Sequence, residues 1–224
     1  MTPREAILSK INSQIAGGKT DTERRANVAN RLSKAPLGII PERGNIGHSE
    51  KVELFCSKAI AVQSTVSRLA SADLIPGEIA TYLRQKNLPQ ALRMGSDERL
   101  AMLDWSTAPG LTCETGPTDG SDEVGLSHAN SAIAETGTLV LISGADNPTT
   151  LNFLPENHII VVRSADIEGD YESALGRIRQ AFGKGRMPRT VNMVTGPSRS
   201  GDIEQKILLG AHGPRSLHII VVDD

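Results

Sequence analysis

Four short runs dominated by Val and Ile, at residues 137–143, 158–163, 191–195 and 217–222, punctuate the second half of the chain, each bounded by Gly, Pro, Asn or Asp. Each has the length and composition of a strand. Between the second and third, residues 167–182 place Tyr171, Ala174, Leu175, Ile178 and Phe182 on one helical face; between the third and fourth, residues 202–209 read as a second helix, closed by Gly210. Apolar strands alternating with amphipathic helices predict an α/β fold, a layered, mainly parallel sheet covered on both faces. A chain of 224 residues buries roughly 70% of the surface it exposes when unfolded, so a full core needs neither disulfides nor metals.

The first third reads as helical. Residues 2–35 open on Thr2, Pro3 and Glu5, a capping box, break at Gly17 and Gly18, and restart at Thr20 and Asp21. Seven basic residues against three acidic ones give this arm +4, while the remainder carries −6. That asymmetry can steer a partner onto the arm, although a solvated helix pair explains it as well. Residues 36–48, rich in Pro and Gly, read as a linker, which divides the chain into an N-terminal helical arm (1–35) and an α/β domain (36–224). From Ser49, the positions Val52, Phe55, Ala59, Val62, Val66 and Leu69 recur at steps of three and four and predict one long helix ending near Ser71. A helix over 75–85 with Pro76 at its start, a strand over 91–94 and a short helix from Asp97 follow. Residues 97–123, with seven acidic residues and one basic, read as a mobile, solvated loop region.

Composition excludes several classes of function. A net charge of −2 and 3% aromatics argue against nucleic-acid binding, which needs a basic surface and stacking platforms. No run approaches the roughly 18 apolar residues of a membrane span, and the opening MTPREAILSKI is not a signal peptide, so a cytoplasmic location is expected. Cys56 and Cys113 are too few for an iron–sulfur or four-cysteine zinc site and read as reduced thiols. The histidines lack ligand spacing, and no metal is assigned.

Two blocks can carry chemistry. In TGPSRSGDIEQKILLG (195–210) a strand ends, Gly196 and Pro197 turn the chain, Ser198 and Ser200 are candidate caps, and a helix is expected to follow. Ligands of open α/β sheets bind at strand carboxyl ends, where free N–H groups of the next helix attract anions. Gly196, Ser198, Arg199 and Ser200 are therefore the candidate anion-binding residues, with Arg199 as a charge-assisted donor. A capped helix whose Arg pairs with a neighbouring acid fits equally well. Asp202 and Glu204 suit the helix dipole. In GLSHANSAIAETGTLVLISG (125–144), Glu135 stands beside Gly137 between two strand-like runs. It is a candidate nucleophile or general base, or else a hairpin-end carboxylate bonded to backbone N–H groups. His128 and Asn130 carry groups able to join it. His212, in the loop GAHGP, is the second catalytic candidate, whereas His158 and His218 open strands and read as satisfied or partly exposed imidazoles.

The ordered blocks GLSHANSAIAETGTLVLISG, LPENHIIVV and TGPSRSGDIEQKILLGAHGPRSLHIIVVD resemble the LUD domain family, strongly from residue 123 and loosely from 36. The resemblance implies a fold similar to the sugar-phosphate isomerase and CoA-transferase superfold. It also implies a subunit of a bacterial system that oxidises L-lactate to pyruvate with two iron–sulfur partner proteins. Larger family members add a Cys-rich tail that this sequence lacks, so the clusters are expected on the lactate-utilisation partners and no cofactor on this chain itself. The site implied is a small-anion site of Ser198, Arg199 and Ser200 with Glu135 and His212 nearby, and analogy to CoA-transferases makes Glu135 an acyl-accepting carboxylate. Two alternatives stay open: a non-catalytic binding or assembly module docking through the basic arm, and an independent CoA-transferase or ligase-like enzyme.

Overall fold

The structure, a computed structural model, describes residues 2–16, 20–34, 36–201 and 207–223. The chain forms two compact units, Met1–Ile39 and Ile40–Asp224. The first holds α1 (Pro3–Ala16) and α2 (Asp21–Lys34). Each helix opens on a reciprocal cap. Glu5 N donates to Thr2 Oγ1 at 3.3 Å while Thr2 N donates to Glu5 Oε2 at 2.6 Å, and Thr20 and Glu23 repeat the pattern at 3.3 and 2.7 Å.

The second unit runs, in chain order, through α3 (His48–Ala61), β1 (Thr65–Leu69), α4 (Ile75–Gln85), β2 (Ala91–Met94), α5 (Glu98–Ala101), β3 (Thr112–Thr115), β4 (Val124–His128), β5 (Ser131–Ile133), β6 (Thr138–Ile142), β7 (Asn157–Arg163), β8 (Ile167–Glu168), α6 (Tyr171–Phe182), β9 (Val191–Val194), β10 (Arg199–Gly201), β11 (Ile207–Leu209) and β12 (Ser216–Val222). Six strands form an all-parallel sheet in the order β1-β12-β7-β4-β2-β3. A second, mostly antiparallel sheet runs β8-β5-β6-β9, and β10 pairs with β11 as a separate hairpin.

The two-residue period of β7 and β12 builds the layers. Ile159, Val161, Ile220 and Val222 face one way, packing with Ile79, Tyr82 and Leu83 of α4. Ile160, Val162, Ile219 and Val221 face the other, meeting Val52, Phe55 and Ala59 of α3 and Ala132, Leu139 and Leu141 of the second sheet. That sheet turns its opposite face, Ile133 and Val140, to Ala174 and Ile178 of α6. At the seam between the two sheets the fully buried residues include Ala59, Ala129, Ala132 and Ala134, whose small side chains let backbones approach closely.

The α/β reading and its parallel sheet are borne out, but several elements differ from the sequence expectation. The long helix to Ser71 stops at Ala61; Gln63 then takes φ 71° and β1 follows, so Val66 and Leu69 belong to a strand that pairs with β12. Spacing alone cannot see that pairing. The acidic region 97–123 is not simply a loop, since β3 adds the sheet's edge strand through its ladder with β2. The helix over 167–182 begins at Tyr171, because Asp170 caps it, its carboxylate accepting from Ser173 N at 2.9 Å. The helix expected over 202–209 is contradicted at its end, where Ile207–Leu209 is strand β11; Asp202 and Glu204 lie outside the described residues. Cys56 and Cys113 are free thiols, packed against clusters on opposite faces of the parallel sheet.

Candidate functional site

A pocket of about 280 Å³ opens where the two sheets meet the β10–β11 hairpin. His158 and Leu217, at the amino ends of β7 and β12, form one wall; Met193 to Pro197, at the carboxyl end of β9, form another. Ser198 and Arg199 of the hairpin, the 212–214 loop, and Asn152 with Phe153 complete it. The carboxyl-end rule thus holds for β9 but not for the parallel sheet, whose strands present their amino ends.

The turn that enters β10 is over-determined. Gly196 takes φ +75°, and a Cβ there would lie 2.5 Å from the Val62 carbonyl, so glycine is required. Arg199 Nη2 donates to that carbonyl, just past the end of α3, one of the five N–H donors of its guanidinium. Ser198 N donates to Pro214 O at 2.8 Å, and Ser198 Oγ accepts from His212 N at 3.3 Å, fastening the His212 loop to the turn.

Electrostatics distinguish this site from the carboxyl edge of the parallel sheet. At the carboxyl edge of the parallel sheet the arginines are already answered: Arg99 meets Asp97 at 2.6 Å, and Arg163 meets Asp166 at 2.9 Å. Arg199 has no carboxylate partner among the described residues, and none of the described lining residues is acidic. A small anion fits such a lining without opposing charge.

The pocket floor is polar and buried. His158, 1% exposed, places Nε2 3.0 Å from Ser127 Oγ, and burial lowers its pKa to about 3, so it is neutral. Ser127 Oγ in turn donates to Asn152 Oδ1 at 3.5 Å. Asn152 is 2% exposed, and its Nδ2 has no hydrogen-bond partner among the described residues. A buried, unanswered donor of this kind costs about 1–3 kcal/mol.

Of the sequence candidates, Gly196, Ser198, Arg199 and His212 line the pocket together. Ser200 does not; one residue on in a strand, its side chain leaves on the opposite face from that of Arg199. Glu135 is also outside the lining. It sits in the β5–β6 hairpin, buried, its Oε2 paired with Arg43 Nε and Nη2, both at 3.1 Å, rather than with backbone N–H groups. Hydroxyls connect that hairpin to the pocket: Thr136 Oγ1 meets Thr138 Oγ1, and Thr138 Oγ1 meets Thr195 Oγ1, each at 2.7 Å, with Tyr171 OH close to both hairpin threonines. His128 stands apart with its Nδ1 2.8 Å from Ala129 O, and His218 stacks on Tyr82 at 4.0 Å. Sequence reasoning missed Ser127 and Asn152. The one available signal was a polar residue set among apolar neighbours, Asn152 between Leu151 and Phe153. Among the described residues no group of three or more His, Cys, Asp or Glu is placed to hold a metal ion, and no helix is long and apolar enough to cross a membrane.

Comparison with known proteins places this geometry in a family. A lactate utilization protein C of Shouchella clausii is 35% identical over 102 residues, 46% of this chain and 44% of that protein. The lactate utilization protein C of Bacillus subtilis is 36% identical over 102 residues, covering 45% and 42%. The matched stretch therefore spans less than half the length of these relatives. A DUF162 family protein of Deinococcus radiodurans shares the fold, with a TM-score of 0.61 at 22% identity over 79% of this chain and 99% of the other. The LUD domain matches residues 5–222, nearly the whole sequence, and the chain belongs to the LUD domain family.

Proposed function

We propose that the chain serves L-lactate utilisation as a subunit whose pocket takes a small carboxylate. One observation carries the reading: Arg199 faces a pocket whose described lining holds no acidic residue and is completed by Ser198 and His212. The names of the relatives support lactate as the physiological context. Oxidation of L-lactate to pyruvate releases two electrons and two protons. In this reading His212 would take the hydroxyl proton and the C2 proton would pass to solvent, while iron–sulfur clusters on partner proteins would supply the acceptor for the two electrons. Glu135, paired with Arg43, holds the hairpin that reaches the pocket through Thr138 and Thr195.

The test is reconstitution with the two iron–sulfur partners and lactate-dependent dye reduction. Omitting the chain should remove most activity, and Arg199→Gln should lower it by about tenfold or more, the loss of a charge-assisted contact. Activity undiminished by omission would sink the reading.

A second reading, an assembly module, is favoured by the arm. Ile7, Leu8 and Ile11 of α1 and Val28 and Leu32 of α2 are all exposed on a segment carrying +4. Deleting residues 1–35 should then abolish complex formation in size-exclusion chromatography while leaving L-lactate binding intact; an unaffected complex rejects it.

A further inference from the structure

We infer that Asn152 is a ligand-binding residue of the pocket, its side-chain amide donating to the C2 oxygen of a 2-hydroxy or 2-oxo acid whose carboxylate Arg199 holds. This rests on the pocket being an anion site, and it goes further by naming what distinguishes one carboxylate from another.

With the His158 proton on Nε2, a donor chain runs to the amide. A neutral imidazole carries a single N–H. Placed on His158 Nε2, it donates to Ser127 Oγ across 3.0 Å. The Ser127 hydroxyl proton then points to Asn152 Oδ1, leaving both N–H groups of Nδ2 without a protein partner in a residue 98% removed from solvent. With the amide turned over, Ser127 Oγ would accept from both His158 and Asn152, leaving its own proton and the Asn152 carbonyl without a partner among the described residues. The last of three buried polar groups, Asn152, is thus a pocket-lining residue whose amide N–H groups have no partner among the described residues.

A donor in that position needs an acceptor oxygen. A carboxylate alone is answered by the guanidinium of Arg199. An acid bearing a hydroxyl or keto oxygen on the adjacent carbon offers the second acceptor; propionate, of the same length, does not. Sites built to hydrogen-bond a ligand oxygen reject analogues that lack it, because the buried donor is then left unpaired.

The experiment is calorimetric titration of the chain with L-lactate, pyruvate and propionate. The wild type should prefer L-lactate and pyruvate over propionate by about tenfold or more. Asn152→Ala and Asn152→Asp should erase that preference, and Ser127→Ala should reduce it, while Arg199→Gln should weaken all three acids together. Retained preference in both Asn152 variants, alongside uniform weakening by Arg199→Gln, overturns the inference and leaves the anion site standing. No binding of any acid by the wild type, or indifference to Arg199→Gln, overturns both. Because a buried substitution can disturb folding, the wild-type protein supplies an independent readout: in ¹⁵N spectra the Asn152 side-chain NH₂ resonances should shift saturably with L-lactate and not with propionate. Resonances unmoved while the backbone of Gly196 and Ser198 responds to L-lactate count against it.

Discussion

The strands β7 and β12 and the hairpin β10–β11 lie on either side of one pocket and are built on different principles. In β7 and β12 nearly every residue is buried, alternate side chains feed two separate core clusters, and each strand is laddered on both edges. In the hairpin, Leu208 and Leu209 are exposed, and the turn before it is held by backbone bonds to the 210–214 loop and by Arg199 on Val62. The central strands hold their shape through the apolar area that they bury, whereas the hairpin is held by a few polar contacts that a ligand can join. Apolar burial stabilises the first region, and polar contacts hold the second.

The largest effect that tests this contrast is a truncation in β7. Ile160→Ala should cost about 2–5 kcal/mol in chemical denaturation, a fully buried side chain lost from a packed seam. An effect under about 1 kcal/mol would show that the seam repacks freely, contrary to the division drawn above.

Acidification comes next. Burial lowers the pKa of His158 to about 3 and of His128 and His218 to about 4, while each protonates near 6.5 in the unfolded chain. Between those values the unfolded state binds more protons, so stability falls as pH drops below about 6.5, at up to about 1.4 kcal/mol per pH unit for each imidazole, and is unaffected by them above it. His158→Gln should flatten the acid limb of a stability-against-pH curve by one histidine's share. An unchanged limb would mean that His158 is protonated in the fold.

The smallest effect is expected in the hairpin. Leu208→Ala, at a residue 62% exposed, should change stability by no more than about 0.5 kcal/mol. A cost approaching that of Ile160→Ala would erase the distinction between the two regions.

The same contrast explains what could be read in advance. The runs at 158–163 and 217–222 announce buried strands because their periodicity and composition agree. Val66 and Leu69 continue a helical spacing by coincidence, and only the ladder of β1 with β12, which lies far along the chain, makes them strand residues. That Gly196, Ser198, Arg199 and His212 would lie together was legible because turn glycines, short polar residues and an arginine cluster in two loops near each other in sequence. Their expected rationale, a helix amino terminus, is not what gathers them: the structure uses a hairpin and the end of α3. Ser127 and Asn152 were not legible, since they meet His158 only after β4 and the 149–152 turn fold against β7.

The alanines of the seam give the pocket a gauge block. Its facing walls belong to sheets that share no strand, so the gap between them is set by what is packed inside, and Leu217 belongs both to that packing and to the lining. A single methylene added at Ala132 or Ala134 is a wedge with nowhere to go but outward. The aperture of the pocket is thus calibrated by residues that do not line it.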